Sequence, residues 1–216
     1  PETHHRADPH RRARPRKNSE ELTAGLPSSS HRANLDGMTM PDDRNFTRYL
    51  SKHEIEAAVI ELATRINKDY EGKQVVLVGV LKGAIIFMAD LVRHLRVDTE
   101  VEFVRLSSYG KARASSGTVT ILKDIQADIR GKHVLIVEEI IDSGRTLRFL
   151  YDRLKASGPA SVEIVTLLDK SAMRVVETPV KYVGRLIEDQ FLIGYGLDLE
   201  EHCRNLPEIF YLKYPN

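Results

Sequence analysis

From Ser51 onward the chain alternates between two hydrophobic periods. Ile55, Val59, Leu62 and Ile66 recur at helical spacing behind a Ser51/Glu54 capping box and ahead of Gly72, which predicts one amphipathic helix. Apolar runs rich in β-branched residues predict strands at 75–80, 101–106, 119–122, 134–137, 162–168, 182–187 and 209–212. Helical spacing returns at 84–95 and at 146–155, the second pattern stopped by Gly158-Pro159. Strands alternating with helices predict an α/β fold with a mainly parallel, twisted sheet flanked by helices. In such sheets ligands bind beyond the carboxyl ends of the strands. No internal repeat is visible.

Residues 1–44 break this pattern. They are rich in Arg, His, Pro and Ser, hold no sustained period, and carry a basic cluster at His10, Arg11, Arg12, Arg14, Arg16 and Lys17. The expectation is a disordered basic and polar extension followed by one domain over 45–216, with a natural start at Met38 or Met40 an alternative account of the extension. Glu2, Asp8, Glu20 and Glu21 weigh against a transit peptide, and no apolar h-region suits secretion.

The 216 residues, 42% of them apolar, have room for one ordinary globular domain. A formal net charge of +1 gives no whole-molecule field for nucleic acid or an anionic membrane. The longest apolar run, 75–81, ends at Lys82 and is too short to cross a bilayer. One cysteine, Cys203, excludes an intramolecular disulfide framework and fits a reducing, cytoplasmic compartment.

The candidate chemistry centres on 134–147, VLIVEEIIDSGRTL. Val134 to Val137 suit a strand buried on both faces that ends where the carboxylates begin. Asp142, Ser143, Gly144, Arg145 and Thr146 are short or polar residues around one glycine. They can form an anion nest at the N-terminus of the following helix, and a phosphate is its natural occupant. Glu138 and Glu139 repel each other and any phosphate, so they need vicinal hydroxyls or a divalent cation; a ribose 5-phosphate with Mg²⁺ supplies both. Each feature alone also suits a solvated loop or an ordinary helix entry.

Elsewhere, Leu81-Lys82-Gly83 joins a strand to a helix as a second candidate anion site, although Lys-Gly is common at helix starts. The segment 107–117, SSYGKARASSG, has too many small and polar residues to pack and reads as a functional loop or a plain surface hairpin. Lys170 places an ammonium at the end of another apolar run. Phe191, Asp198 and Arg204 have ordinary readings as a core aromatic, a turn residue and a solvated cation. Together they also offer a base pocket with a stacking face, a cation for an exocyclic oxygen and a carboxylate for metal.

The 134–147 stretch resembles the phosphoribosyl-pyrophosphate (PRPP) motif of the type I phosphoribosyltransferases. With the wording around SSYG, LLDK and GYGLD, the chain from about Leu50 onward is similar to the bacterial-type hypoxanthine-guanine members. The resemblance implies their α/β fold with a small hood built from the termini, and Mg²⁺-dependent transfer of ribose 5-phosphate from PRPP to N9 of hypoxanthine or guanine in purine salvage. By the same resemblance Glu138 and Glu139 hold the ribose hydroxyls, Asp142 to Thr146 the 5-phosphate, and Asp142 acts as general base at N7. Leu81, Lys82, Gly83 and Arg204 take the pyrophosphate, with a non-proline cis peptide in the tripeptide, and Ser108-Tyr109 form a lid. Lys170 reads the purine O6, Phe191 stacks, Leu192 offers its carbonyl to the 2-position, and Asp198, with Glu138 and Glu139, faces the metal. A homodimer or homotetramer is implied, with no nucleic-acid or membrane partner. Two departures stand out: Glu139 where the family often has Asp, and the extra positive charge of KARASS. Transfer to xanthine, adenine or a pyrimidine, and a PRPP-sensing nucleic-acid regulator on the same fold, remain alternatives.

Overall fold

The computed structural model describes residues 46–108 and 119–212, together with two short strands, β1 (Arg32–Ala33) and β2 (Thr39–Met40). These two pair antiparallel within a unit spanning Pro1–Asp42; the rest of the predicted N-terminal extension lies outside the described residues. All other elements belong to a second unit, Asp43–Asn216.

The second unit starts with β3 (Phe46–Leu50) and α1 (Lys52–Asp69). Ser51 caps α1: its hydroxyl accepts from the Glu54 amide while Glu54 returns to the Ser51 amide, the reciprocal box expected from the spacing. There follow β4 (Gln74–Leu81), α2 (Ile85–His94), β5 (Asp98–Ser108), β6 (Val119–Lys123), β7 (His133–Ile141), α3 (Arg145–Lys155), β8 (Ser161–Asp169), β9 (Tyr182–Leu186), β10 (Leu192–Ile193) and β11 (Ile209–Leu212).

Six strands form one sheet in the order β6-β5-β4-β7-β8-β9. Only the β5/β6 edge pair is antiparallel. The central strands obey the rule for sheets covered on both faces. Val75 and Leu77 of β4 with Leu135 and Val137 of β7 pack under α1 and α2, whereas Val76, Val78, Val134 and Ile136 pack under α3. A second, antiparallel sheet, β10-β11-β3, joins the C-terminal region to the residues just before α1. It is the hood implied by the resemblance.

One boundary differs from the expectation. β7 does not end at the carboxylates but runs on through Glu138, Glu139 and Ile140 to Ile141. Ladder pairing to β8 carries it: Glu138 lies opposite Thr166, Ile140 opposite Leu168 and Ile141 opposite Asp169, so a neighbouring strand overrides the local polarity of the acids. Among the described residues no helix is long and apolar enough to cross a membrane.

Candidate functional site

The site forms where β4, β7 and β8 end on the same edge of the sheet. At the end of β7 the chain turns through Asp142 and Ser143 to Gly144, which takes the left-handed φ of +79° that glycine adopts without strain. Gly144 is the N-cap of α3; its carbonyl accepts from the Arg148 amide at 2.9 Å, and no side chain caps the helix. The first amides of α3 therefore lack intrahelical acceptors and carry the positive end of the helix dipole. A cavity of about 210 Å³ opens here, lined by Glu138, Ile141, Asp142, Ser143, Gly144 and Thr146 among others. The structure thus brings Glu138 and the 142–146 turn together on one cavity. Arg145, at the first turn of α3, is exposed.

Glu138 and Glu139 are partly buried neighbours. Burial, then the charge of Glu139, pushes the Glu138 carboxyl well above the ordinary value of 4.5. Burial also raises Glu139, against the opposing pull of its hydrogen bond with Glu138 and the Arg204 charge. Oε2 of Glu139 is buried without a protein partner, and a Cβ on Gly83 would overlap the Glu139 carboxylate. Glycine at 83 is therefore what lets the longer Glu139 fit beneath the 81–83 loop. The Leu81–Lys82 peptide is cis, as the resemblance implies.

Across from this loop lies the 195–204 segment. A Cβ on Gly196, whose φ is +98°, would strike the Gly83 carbonyl, so the two loops meet backbone to backbone. Arg204 Nη1 donates to the Gly196 carbonyl at 2.8 Å, and Nη2 pairs with Asp198 Oδ1 at 2.9 Å and Glu201 Oε2 at 3.2 Å. Lys82 Nζ donates to that same Glu201 oxygen at 2.7 Å. Lys82 and Arg204, 122 residues apart in sequence, thus converge on one carboxylate that no sequence motif marks. Glu201 could have been found only by knowing that both cations reach it.

Lys170 is buried at the end of β8. Its amide donates to the Ile141 carbonyl at 2.9 Å, and its ammonium pairs with Asp189 Oδ1 at 3.2 Å. Leu192 is buried in β10 and Phe191, just before it, is partly buried. Ser108 is the last residue of β5, opposite Val119; Tyr109 and the rest of the expected lid lie outside the described residues.

Among the described residues no three acids or histidines converge as a ready-made metal cluster. Glu138, Glu139 and Asp198 are nevertheless hard oxygen donors, and the unpartnered Glu139 Oε2 is a free one. That set suits Mg²⁺, which takes one or two carboxylates and completes its shell with water and substrate phosphates. A larger cavity, about 510 Å³, lies between α1, α2 and 204–207. It shares with the site only the two ends of the 195–204 segment, Tyr195 and Arg204, so size alone does not mark the site.

A family model described as the phosphoribosyl transferase domain matches residues 45–200. The chain is 49% identical over 164 residues to the hypoxanthine-guanine phosphoribosyltransferase of Streptococcus pneumoniae, covering 76% of this chain and 91% of that protein. It is 48% identical over 158 residues to the hypoxanthine phosphoribosyltransferase of Escherichia coli, covering 72% and 89%. A crystal structure of the hypoxanthine phosphoribosyltransferase from Staphylococcus aureus superposes with a TM-score of 0.75 at 42% identity, covering 79% of this chain and 94% of that one. On the matched domain, the sheet and these relatives together, the chain belongs to the phosphoribosyltransferase family, among its hypoxanthine and hypoxanthine-guanine enzymes.

Proposed function

We propose that this enzyme transfers ribose 5-phosphate from PRPP to N9 of a 6-oxopurine, hypoxanthine or guanine, releasing pyrophosphate in purine salvage. One observation carries the reading: an open helix N-terminus beside an acidic pair, a two-cation cluster and a buried lysine share one sheet edge, spaced along β4, β7, β8 and the hood.

In this reading the amides of 142–146 and the dipole of α3 hold the 5-phosphate. Glu138 and Glu139 accept hydrogen bonds from the ribose hydroxyls, which offset the burial that raises both carboxyls. Lys82 and Arg204 neutralise the departing pyrophosphate, which stabilises charge as it develops. Glu138, Glu139 and Asp198 are the carboxylates that would hold Mg²⁺. When bound with PRPP, the metal supplies further charge neutralisation on the phosphates. Lys170, held by Asp189, donates to the purine O6; the 6-amino group of adenine cannot accept that bond. Asp142 receives or orients the N7 proton as bond formation at N9 makes the ring more acidic, worth about two to four powers of ten in rate. Phe191 stacks on the ring, Leu192 presents its carbonyl to the 2-position, and Ser108-Tyr109 are the lid that closes over the pyrophosphate and keeps water from the reacting sugar. A cytoplasmic homodimer or homotetramer completes the reading, its assembly checked by analytical ultracentrifugation.

Nucleotide formation from PRPP and Mg²⁺ with hypoxanthine, guanine, xanthine and adenine in turn tests the activity. Product with the first two and little with adenine is expected; no product with any base overturns it. For the general base, Asp142→Asn should lower kcat by about a hundredfold or more. Wild-type turnover in that variant removes Asp142 from the mechanism.

A further inference from the structure

Arg174 follows the 3₁₀ turn at Ser171–Met173 and has no role in the function proposed above, yet it is bonded to both halves of the site. Its Nη1 donates to the Asp142 carbonyl at 3.1 Å and its Nη2 to Asp169 Oδ1 at 2.6 Å. The first acceptor opens the phosphate loop; the second belongs to the residue immediately before Lys170. The Arg174 and Asp169 side chains are only 16% and 8% exposed, so this is a shielded, charge-assisted pair and not a solvent-screened surface contact.

The residues after Arg174 extend the attachment. The amides of Val175 and Val176 both donate to the Ser143 carbonyl, at 3.0 and 3.3 Å, and the Thr178 hydroxyl shares its proton between the Gly144 carbonyl at 3.2 Å and the Val176 carbonyl at 3.1 Å. Three successive carbonyls of the loop, those of Asp142, Ser143 and Gly144, are therefore held by 174–178. Of these contacts, the Arg174 side chain alone reaches both the loop and the end of β8. The direct backbone link, Lys170 amide to Ile141 carbonyl, ties the ends of the two strands and does not itself reach the turn beyond Ile141.

We propose that Arg174 is a positioning residue that sets the spacing between the 5-phosphate loop at 142–146 and the purine-reading Lys170. This rests on the function proposed above. A nucleoside monophosphate touches both halves at once, whereas ribose 5-phosphate and inosine each lack one end. A fragment follows whichever half it binds, so an error in spacing weakens only the ligand that spans both.

The test is binding of inosine monophosphate, ribose 5-phosphate and inosine to wild-type, Arg174→Met and Arg174→Lys enzyme by ligand-observed NMR, which reads weak fragments. Arg174→Met should weaken the nucleotide about tenfold, the scale set by one charged hydrogen bond, and each fragment by less than about threefold. Arg174→Lys keeps the charge but cannot span two acceptors with a planar fork, so it should fall between. Should the Met variant fail to fold, the Lys variant decides by the same ratio. Equal losses for the nucleotide and either fragment would place Arg174 on one half alone and overturn the proposal, as would an unchanged nucleotide affinity. Failure of the wild-type enzyme to bind the nucleotide would overturn the underlying function instead.

Discussion

At the scale of single residues, the site stores unfavourable electrostatics that its ligands relieve. Burial and the Glu139 charge raise the Glu138 pKa, so the folded chain holds this proton more tightly than the unfolded chain does. Stability is then lost as pH rises above the ordinary carboxylate value of 4.5, and the loss is complete above the folded pKa. Glu138→Gln removes that charge while keeping the shape. Its melting midpoint at pH 7.5 should exceed wild type by about 2–4 °C, the scale of ~1 kcal/mol in a domain of this size, and the gap should close as pH falls toward 5. A gap that does not depend on pH would show that the buried Glu138 charge is not its source. Glu201 holds Lys82 and Arg204 where pyrophosphate is expected, so Glu201→Gln should lower the KM for PRPP, by only about two- to threefold because an exposed pair is weak. An unchanged or raised KM would refute competition by Glu201. The two acids and the glycine turn that opens α3 were legible in fourteen consecutive letters. Glu201 and Arg174 were not, because the partners that tie them to the site, Lys82 and Asp142, lie 119 and 32 residues away.

At the scale of elements, close backbone approach fixes the loops more than side-chain choice does. Gly144 joins β7 to α3 with φ +79°, and a Cβ there would lie 2.7 Å from Thr178 Oγ1 and 2.9 Å from the Val176 carbonyl. Neither strain nor contact has an easy release, since the second neighbour is backbone. Gly144→Ala should therefore cost about 1–3 kcal/mol of stability in denaturant unfolding and weaken ribose 5-phosphate binding along with it. A variant with wild-type stability and affinity would mean that the loop has other conformations of equal use. The long elements were readable because α1 and the central strands repeat one period over many residues. β3 and β10 were missed for the opposite reason. β10 has two residues and β3 five, and both owe their strand form to β11, which arrives from the far end of the chain. The overrun of β7 has the same origin: β8 pairs with the acids whatever their own preference.

At the scale of the whole molecule, each residue given a chemical role lies between Leu81 and Arg204, and both hydrophobic clusters begin no earlier than Leu50. The family match starts at residue 45, and the compact unit that contains the site starts at Asp43. A chain beginning at Asp43 keeps β3, which the hood needs as the partner of β11. It should therefore retain kcat and both substrate KM values within about twofold, since every residue given a chemical role and both hydrophobic clusters lie within it. The basic cluster at 10–17 is what that truncation removes, so the same pair of proteins separates the enzyme from a nucleic-acid regulator. Phosphate contacts by arginine and lysine make binding fall steeply with salt. If the full chain bound nucleic acid in that manner and the truncated chain did not, the extension would carry a second function beside an intact transferase. Loss of transferase activity on truncation would instead show that the domain boundary is set too late.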